Sequence, residues 1–99
     1  MQNVVWIIQY KLKKGVTDQE LIAASKRCCD EVVSKQKGYI SGKQFRDGDT
    51  WVDYIEWETR EDADNALTAG AGNPAAEEFY AKLNMNSVRH QTLSVTQIF

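Results

Sequence analysis

The chain predicts an α+β fold of order strand, helix, strand, strand, helix, strand. Three observations carry that expectation: apolar residues alternate within 3–13 and 51–57, capping patterns stand at Thr17 and Thr59, and an Asp47-Gly48 turn separates two extended runs. This order is the split βαβ pattern of ferredoxin-like domains. Right-handed crossovers then place both helices on one face of a four-stranded antiparallel sheet. With 99 residues, the chain is expected to form one domain over 1–99, large enough to bury a core without disulfides or metal.

The elements follow in order. Residues 3–13 read as a strand with Val4, Trp6, Ile8, Tyr10 and Leu12 on one face, while the other carries Val5 and Ile7 before turning polar at Gln9 and Lys11. Gly15 ends it. Thr17 with Glu20 is a capping box that opens a helix with a stripe of Leu21, Ile22, Ser25, Cys28, Cys29, Val32 and Val33. Lys35 and Lys37 suit the negative end of that helix, and Gly38 suits the position just past it. Residues 39–46 form the second strand, and Asp47-Gly48 is a hairpin signal that pairs it antiparallel with the third. Gly42 interrupts this strand, which predicts a bulge, or else the close approach of a ligand or of Trp57.

Thr59 with Asp62 starts a second helical region, with Ala63, Ala66 and Leu67 inward. Gly70-Ala71-Gly72 breaks it; the run lies between helices, not after a strand, so it is a hinge and not a nucleotide loop. Asn73 as cap and Pro74 at the first helical position restart the helix, with Ala76, Phe79, Tyr80 and Leu83 on one side. Residues 86–99, rich in Val, Thr, Leu and Ile, form a last strand longer than its neighbours.

The strand over 50–57 has a property that reaches beyond one chain. Trp51, Asp53, Ile55 and Trp57 point one way and Val52 and Tyr54 the other, so it has two largely apolar faces. Helices cover one. A second copy of the chain is expected to cover the other, making a homodimer through the sheet face, with the overlong last strand reaching the partner's edge.

Composition narrows the function. A 42% apolar and 26% charged chain is ordinary for a water-soluble domain, and its net charge of −2 attracts neither nucleic acid nor anionic membrane. Lys11, Lys13 and Lys14 form a small solubilising patch. No run approaches the ~20 apolar residues of a membrane span. The apolar start VVWII is too short for a signal-peptide core, which gives a cytoplasmic expectation. Cys28 and Cys29 are helical neighbours about 100° apart, so they read as reduced thiols and not as a disulfide or zinc framework.

The run YIEWETREDADNA over 54–66 is similar to the strand-into-helix signature of the antibiotic biosynthesis monooxygenase family, in the dimeric α+β barrel superfamily. A Trp-x-Ser/Thr-x-Glu pattern is common there, and Trp57, Thr59 and Glu61 stand at those places. Asn73-Pro74 with Glu78-Phe79 resembles the second helical segment, so the likeness covers nearly the whole chain. The resemblance implies a dimeric α+β barrel. Its relatives include cofactor-independent oxygenases of polycyclic aromatics, haem-degrading enzymes and muconolactone isomerase-like proteins. For the haem-degrading branch, Asn3 and Trp57 are the matching residues, but the helical segment over 60–83 has no histidine, and the single one, His90, lies on the last strand. One histidine without clustered carboxylates makes no three-ligand metal site either.

A cofactor-independent oxygenase needs a cavity for an electron-rich aromatic, a base, and contacts that stabilise the anion. Trp6, Trp57, Phe79 and Tyr80 are the candidate walls. Asp53 and His90 are the candidate catalytic groups: an acid on an apolar face should have a raised pKa unless it is paired with Arg89 or Arg46 or exposed near a sheet edge, and histidine titrates near neutrality, its other reading being a structural or surface residue of the strand. Glu56 lies on the opposite face, toward a partner or solvent. No metal or flavin is expected in this chain. The alternative is a non-catalytic ligand-binding or interaction module; a cavity of roughly 300 Å³ or more with Asp53 or His90 projecting into it favours the enzyme, and a solid core with both groups solvated removes it.

Overall fold

The computed structural model describes residues 3–99. Its elements are β1 (Val4–Leu12), α1 (Asp18–Glu31), a short 3₁₀ turn (Val33–Lys35), β2 (Tyr39–Asp47), β3 (Thr50–Trp57), α2 (Arg60–Ala66), α3 (Pro74–Ala81) and β4 (Leu83–Ser94). The strands form one antiparallel sheet in the order β2-β3-β1-β4, as the split βαβ connection requires.

Local chemistry sets the boundaries. The Thr17 side chain accepts from the Glu20 backbone N–H while the Glu20 carboxylate accepts from Thr17, so the box closes in both directions. Thr59 caps α2 through the Asp62 N–H, and Asn73 caps α3 through those of Ala75 and Ala76, with Pro74 just inside. Asp47 pairs with Thr50, leaving Gly48 and Asp49 as a two-residue hairpin loop with Gly48 at φ 62°.

The inner face of the sheet is the predicted one. Val4, Trp6, Ile55 and Trp57 pack under Ala63 and Ala66 of α2, while Tyr10, Trp51 and Leu83 pack with Leu21 of α1, flanked by Phe79 of α3. On the outer face, Val5 is largely enclosed by its neighbours, Ile7, Val52 and Tyr54 are half-buried, and Phe45 and Leu93 stand exposed.

Several boundaries differ from expectation. α1 ends at Glu31, before the lysines, so Val32 and Val33 belong to its cap and the following turn, and Ile22 is exposed. Gly38 does not end α1. It sits in the turn into β2 at φ 85°, where any Cβ would collide with the Asp62 side chain. The bulge in β2 falls at Ile40 instead of Gly42, between the Tyr39–Trp57 and Ser41–Glu56 pairs. β4 begins at Leu83 because Leu83 pairs with Leu12 and the Lys13 N–H donates to the Lys82 carbonyl, and it stops at Ser94, short of the expected end. At 12 residues it is still the longest strand.

Candidate functional site

Sheet and helices enclose a cavity of about 250 Å³. α1 gives Ser25, Cys28 and Cys29, with Val32 and Val33 following; α2 and its hinge give Ala66, Leu67 and Gly70; α3 gives Ala76, Phe79 and Tyr80. The sheet gives Trp6 and Ile8 from β1, Asp53 and Ile55 from β3, and Leu83, Met85, Val88 and His90 from β4. Of the predicted walls, Trp6, Phe79 and Tyr80 line it and Trp57 does not. Trp57 is fully buried behind Trp6, ring centroids 4.8 Å apart, and meets Tyr39 edge-on on its other side. Leu67, expected inward, is half exposed at the rim, beside Tyr80 and Met85.

Asp53 and His90 both line this space but do not meet. Each pairs with Ile8 from opposite sides, so they stand two strand spacings, about 10 Å, apart across the sheet. They are not a hydrogen-bonded dyad. His90 lies at the β4 edge with its ring edge-on to Trp6, centroids 5.1 Å apart, and Nε2 3.3 Å from the Thr92 hydroxyl. Its partial burial lowers its pKa from 6.5.

Asp53 lies deeper. The salt bridge expected with Arg46 or Arg89 is absent: Arg46 pairs with Asp18 and lies over the Trp51 ring, and Arg89 donates to the carbonyls of Asn86 and Val88. Instead the Tyr10 hydroxyl donates to Asp53 Oδ1 at 2.8 Å and Gln44 Nε2 donates to the same oxygen at 3.1 Å. Gln44 Nε2 also reaches the Tyr10 and Ser25 hydroxyl oxygens at 3.0 and 2.8 Å, and the Ser25 hydroxyl donates to the Leu21 carbonyl. Burial raises the Asp53 carboxyl to about 6, against the lowering effect of its two neutral donors. Burial, and then the Asp53 charge, raise Tyr10 far above the ordinary tyrosine range, so it remains a donor.

The remaining polar groups are quieter. Burial pushes the Cys28 thiol up to about 11, which makes it an inert wall group; both cysteines are free, and Cys29 Sγ lies 3.7 Å from the Tyr39 hydroxyl. Glu56, on the outer face, accepts from the Asn3 side chain. The buried indole N–H groups of Trp6 and Trp57 have no acceptor among the described residues. No group of three or more His, Cys, Asp and Glu among the described residues is placed to hold a metal ion, and no helix among them is long and apolar enough to cross a membrane.

Sequence reasoning missed Gln44 and Tyr10 as the partners of Asp53. A signal existed, because counting back from the Asp47-Gly48 turn puts Gln44 directly opposite Asp53.

The backbone superimposes on that of SnoaB, a cofactor-independent oxygenase from Streptomyces nogalater, with a TM-score of 0.81 at 15% identity, over 99% of this chain and 97% of that one. The two chains share one ferredoxin-like α+β fold. A protein of Chloroflexus aurantiacus J-10-fl assigned as an antibiotic biosynthesis monooxygenase gives a TM-score of 0.72 at 16% identity, over 98% of this chain and 96% of that one. The monooxygenase from the ActVA-Orf6 gene of Streptomyces coelicolor, solved with nanaomycin D, gives 0.71 at 15% identity, over 99% and 91%. No protein-family sequence model and no curated protein matches the chain. At these identities the likeness carries the backbone alone.

Proposed function

We propose that this chain is a small monooxygenase-like enzyme that binds an aromatic metabolite in the interlayer cavity and oxidises it with dioxygen, using no metal or flavin of its own, with Asp53 as the base. The observation that carries this reading is a carboxyl raised to about 6 in an apolar cavity, held by neutral donors and in no ion pair among the described residues. The cavity holds about 250 Å³, somewhat below the expected 300 Å³, which suits a two- or three-ring aromatic lying against Trp6 and Phe79. Asp53 takes a proton from an acidic phenol or benzylic C–H. The anion passes one electron to dioxygen, the radical pair combines to a peroxide anion, which takes the proton back from Asp53, and loss of water from the hydroperoxide leaves a carbonyl on the ring. One oxygen atom enters the product and the other leaves as water. A ligand oxygen near Trp6 would supply the acceptor that its N–H lacks.

The test is oxygen uptake with a panel of naphthols and anthrones, alongside binding measured by thermal shift. Uptake with quinone formation is expected for at least one of them. Binding without uptake would establish the non-catalytic ligand-binding module instead, and neither binding nor uptake removes the aromatic reading.

The reading includes a homodimer through the outer sheet face, supported by the contiguous Val5, Ile7, Phe45, Val52, Tyr54 and Leu93 surface, which no helix covers. Sedimentation equilibrium at micromolar concentration should return twice the 11.3 kDa chain mass, and a Phe45→Asp, Leu93→Asp double variant should sediment as a folded monomer. A monomeric native chain would remove the dimer.

A further inference from the structure

A second cavity of about 230 Å³ lies under α1 at the β2 edge of the sheet, between Ile22, Ser25 and Lys26 on the helix and Gly42 and Gln44 on the strand. β2 is the opposite edge strand from β4, where exposed Leu67, Tyr80, Met85 and His90 mark the mouth of the first cavity. The two cavities share Ser25, Cys29, Asp53 and Ile55, so Asp53 stands in the wall between them. We propose that the second cavity is the solvent port of Asp53, through which the carboxyl exchanges its proton with bulk water on the side away from the first cavity.

Three features support this. The floor is polar where it meets Asp53: the Ser25 hydroxyl and the Gln44 amide lie within hydrogen-bond distance of each other and in contact with the carboxyl's own network. The space exists because position 42 has no side chain; a Cβ there would stand 3.1 Å from Ile55 Cδ1 and from the Tyr39 hydroxyl oxygen, filling the passage. Its volume admits several waters at ~30 Å³ each, and exposed Ile22 and Lys26 leave it open to solvent, Lys26 being held aside by Asp30.

This port rests on the proposed function only for its use, not for its existence. A base that receives a proton from a ligand in the first cavity is sealed on that side by the ligand. Through the second cavity a carboxyl that is protonated when the ligand binds passes that proton to a port water, which carries it to bulk as hydronium, so the carboxylate the reaction needs forms without ligand release. Gln44 is a positioning residue here: its two amide hydrogens are shared among Ser25, Tyr10 and Asp53, fixing the carboxyl at the boundary. The titratable groups around Asp53 are Tyr10 from β1, Cys28 and Cys29 from α1, Lys26 and Lys43 beside the second cavity, and Tyr80 and His90 across the first.

The test follows the Asp53 side-chain carboxyl carbon by NMR across pH 4–9 in the ligand-free protein. Ile22→Trp, a surface change over the port mouth, and Gly42→Val, which fills the passage, should each raise the midpoint by about one pH unit by deepening desolvation. Met85→Trp, at the mouth of the first cavity, should move it by less than about 0.3. The port is overturned if both port variants leave the midpoint in place, or if Met85→Trp moves it as far as they do. Failure of oxygen uptake while the port variants still raise the midpoint would remove the enzyme and leave the port standing, so the two outcomes are distinguishable.

Discussion

Asp53→Asn abolishes the proposed oxygen uptake and stabilises the fold at the same time. Loss of a positioned base lowers turnover by about 10²–10⁴-fold. In the native chain the rate should rise with pH through about 6 and then level, because only the carboxylate accepts a proton. Stability runs the other way. The folded carboxyl is raised to about 6 from an ordinary 3.8, so the native state binds the proton more tightly than the unfolded chain does. The stability this adds is fully present below about 3.8 and is lost as pH rises through about 6. A shift of that size corresponds to about 3 kcal/mol over the full titration, of which about 2 kcal/mol falls between pH 4 and pH 8. Asparagine keeps an Oδ1 that accepts from Tyr10 and Gln44 and has no charge to desolvate. Urea denaturation should therefore show the variant about 1–3 kcal/mol more stable than the native chain at pH 8 and nearly equal to it at pH 4. Equal destabilisation at both pH values would show that Asp53 is an ordinary structural acid.

That combination explains what the sequence could and could not show. Alternation assigned the two faces of β1 and β3, since residues of like parity share a face and one register brings Val4, Trp6, Ile55 and Trp57 together under the helices. Caps at Thr17, Thr59 and Asn73 are local chemistry, readable within four residues. The environment of Asp53 is not local. Its partners lie 43 and 9 residues away, and the competing arginines were equally plausible by charge until Arg46 was seen to face Asp18 and Arg89 the outer side. The start of β4 failed for a related reason: Ala76, Phe79, Tyr80 and Leu83 keep helical spacing, but Leu83 is claimed by its pairing with Leu12. Tertiary pairing overrode the period.

Trp57 is the sharpest case, because alternation put it on the right face and could not say how deep. Trp57→Ala should lose about 3–5 kcal/mol, a large part of the roughly 5–15 kcal/mol that holds a domain of this size. The indole is fully buried, tilted at 58° against Trp6, edge-on to Tyr39, and covered by Ala63, a small residue whose size leaves room for the ring. For a chain of about 100 residues the loss corresponds to a melting temperature lowered by at least about 12 °C, read by circular dichroism. Trp57→Phe is the informative companion. It keeps a ring in contact with Trp6 and deletes an N–H that is buried without an acceptor, so two opposing changes leave stability within about 1 kcal/mol of the native chain. Since Trp57 stands behind Trp6 and does not line the cavity, Trp57→Phe should leave the binding of a naphthol unchanged, whereas Trp6→Phe should weaken it several-fold. If the two phenylalanine variants weaken binding equally, ligands reach past Trp6, and the cavity extends to the residue that the sequence nominated as its wall.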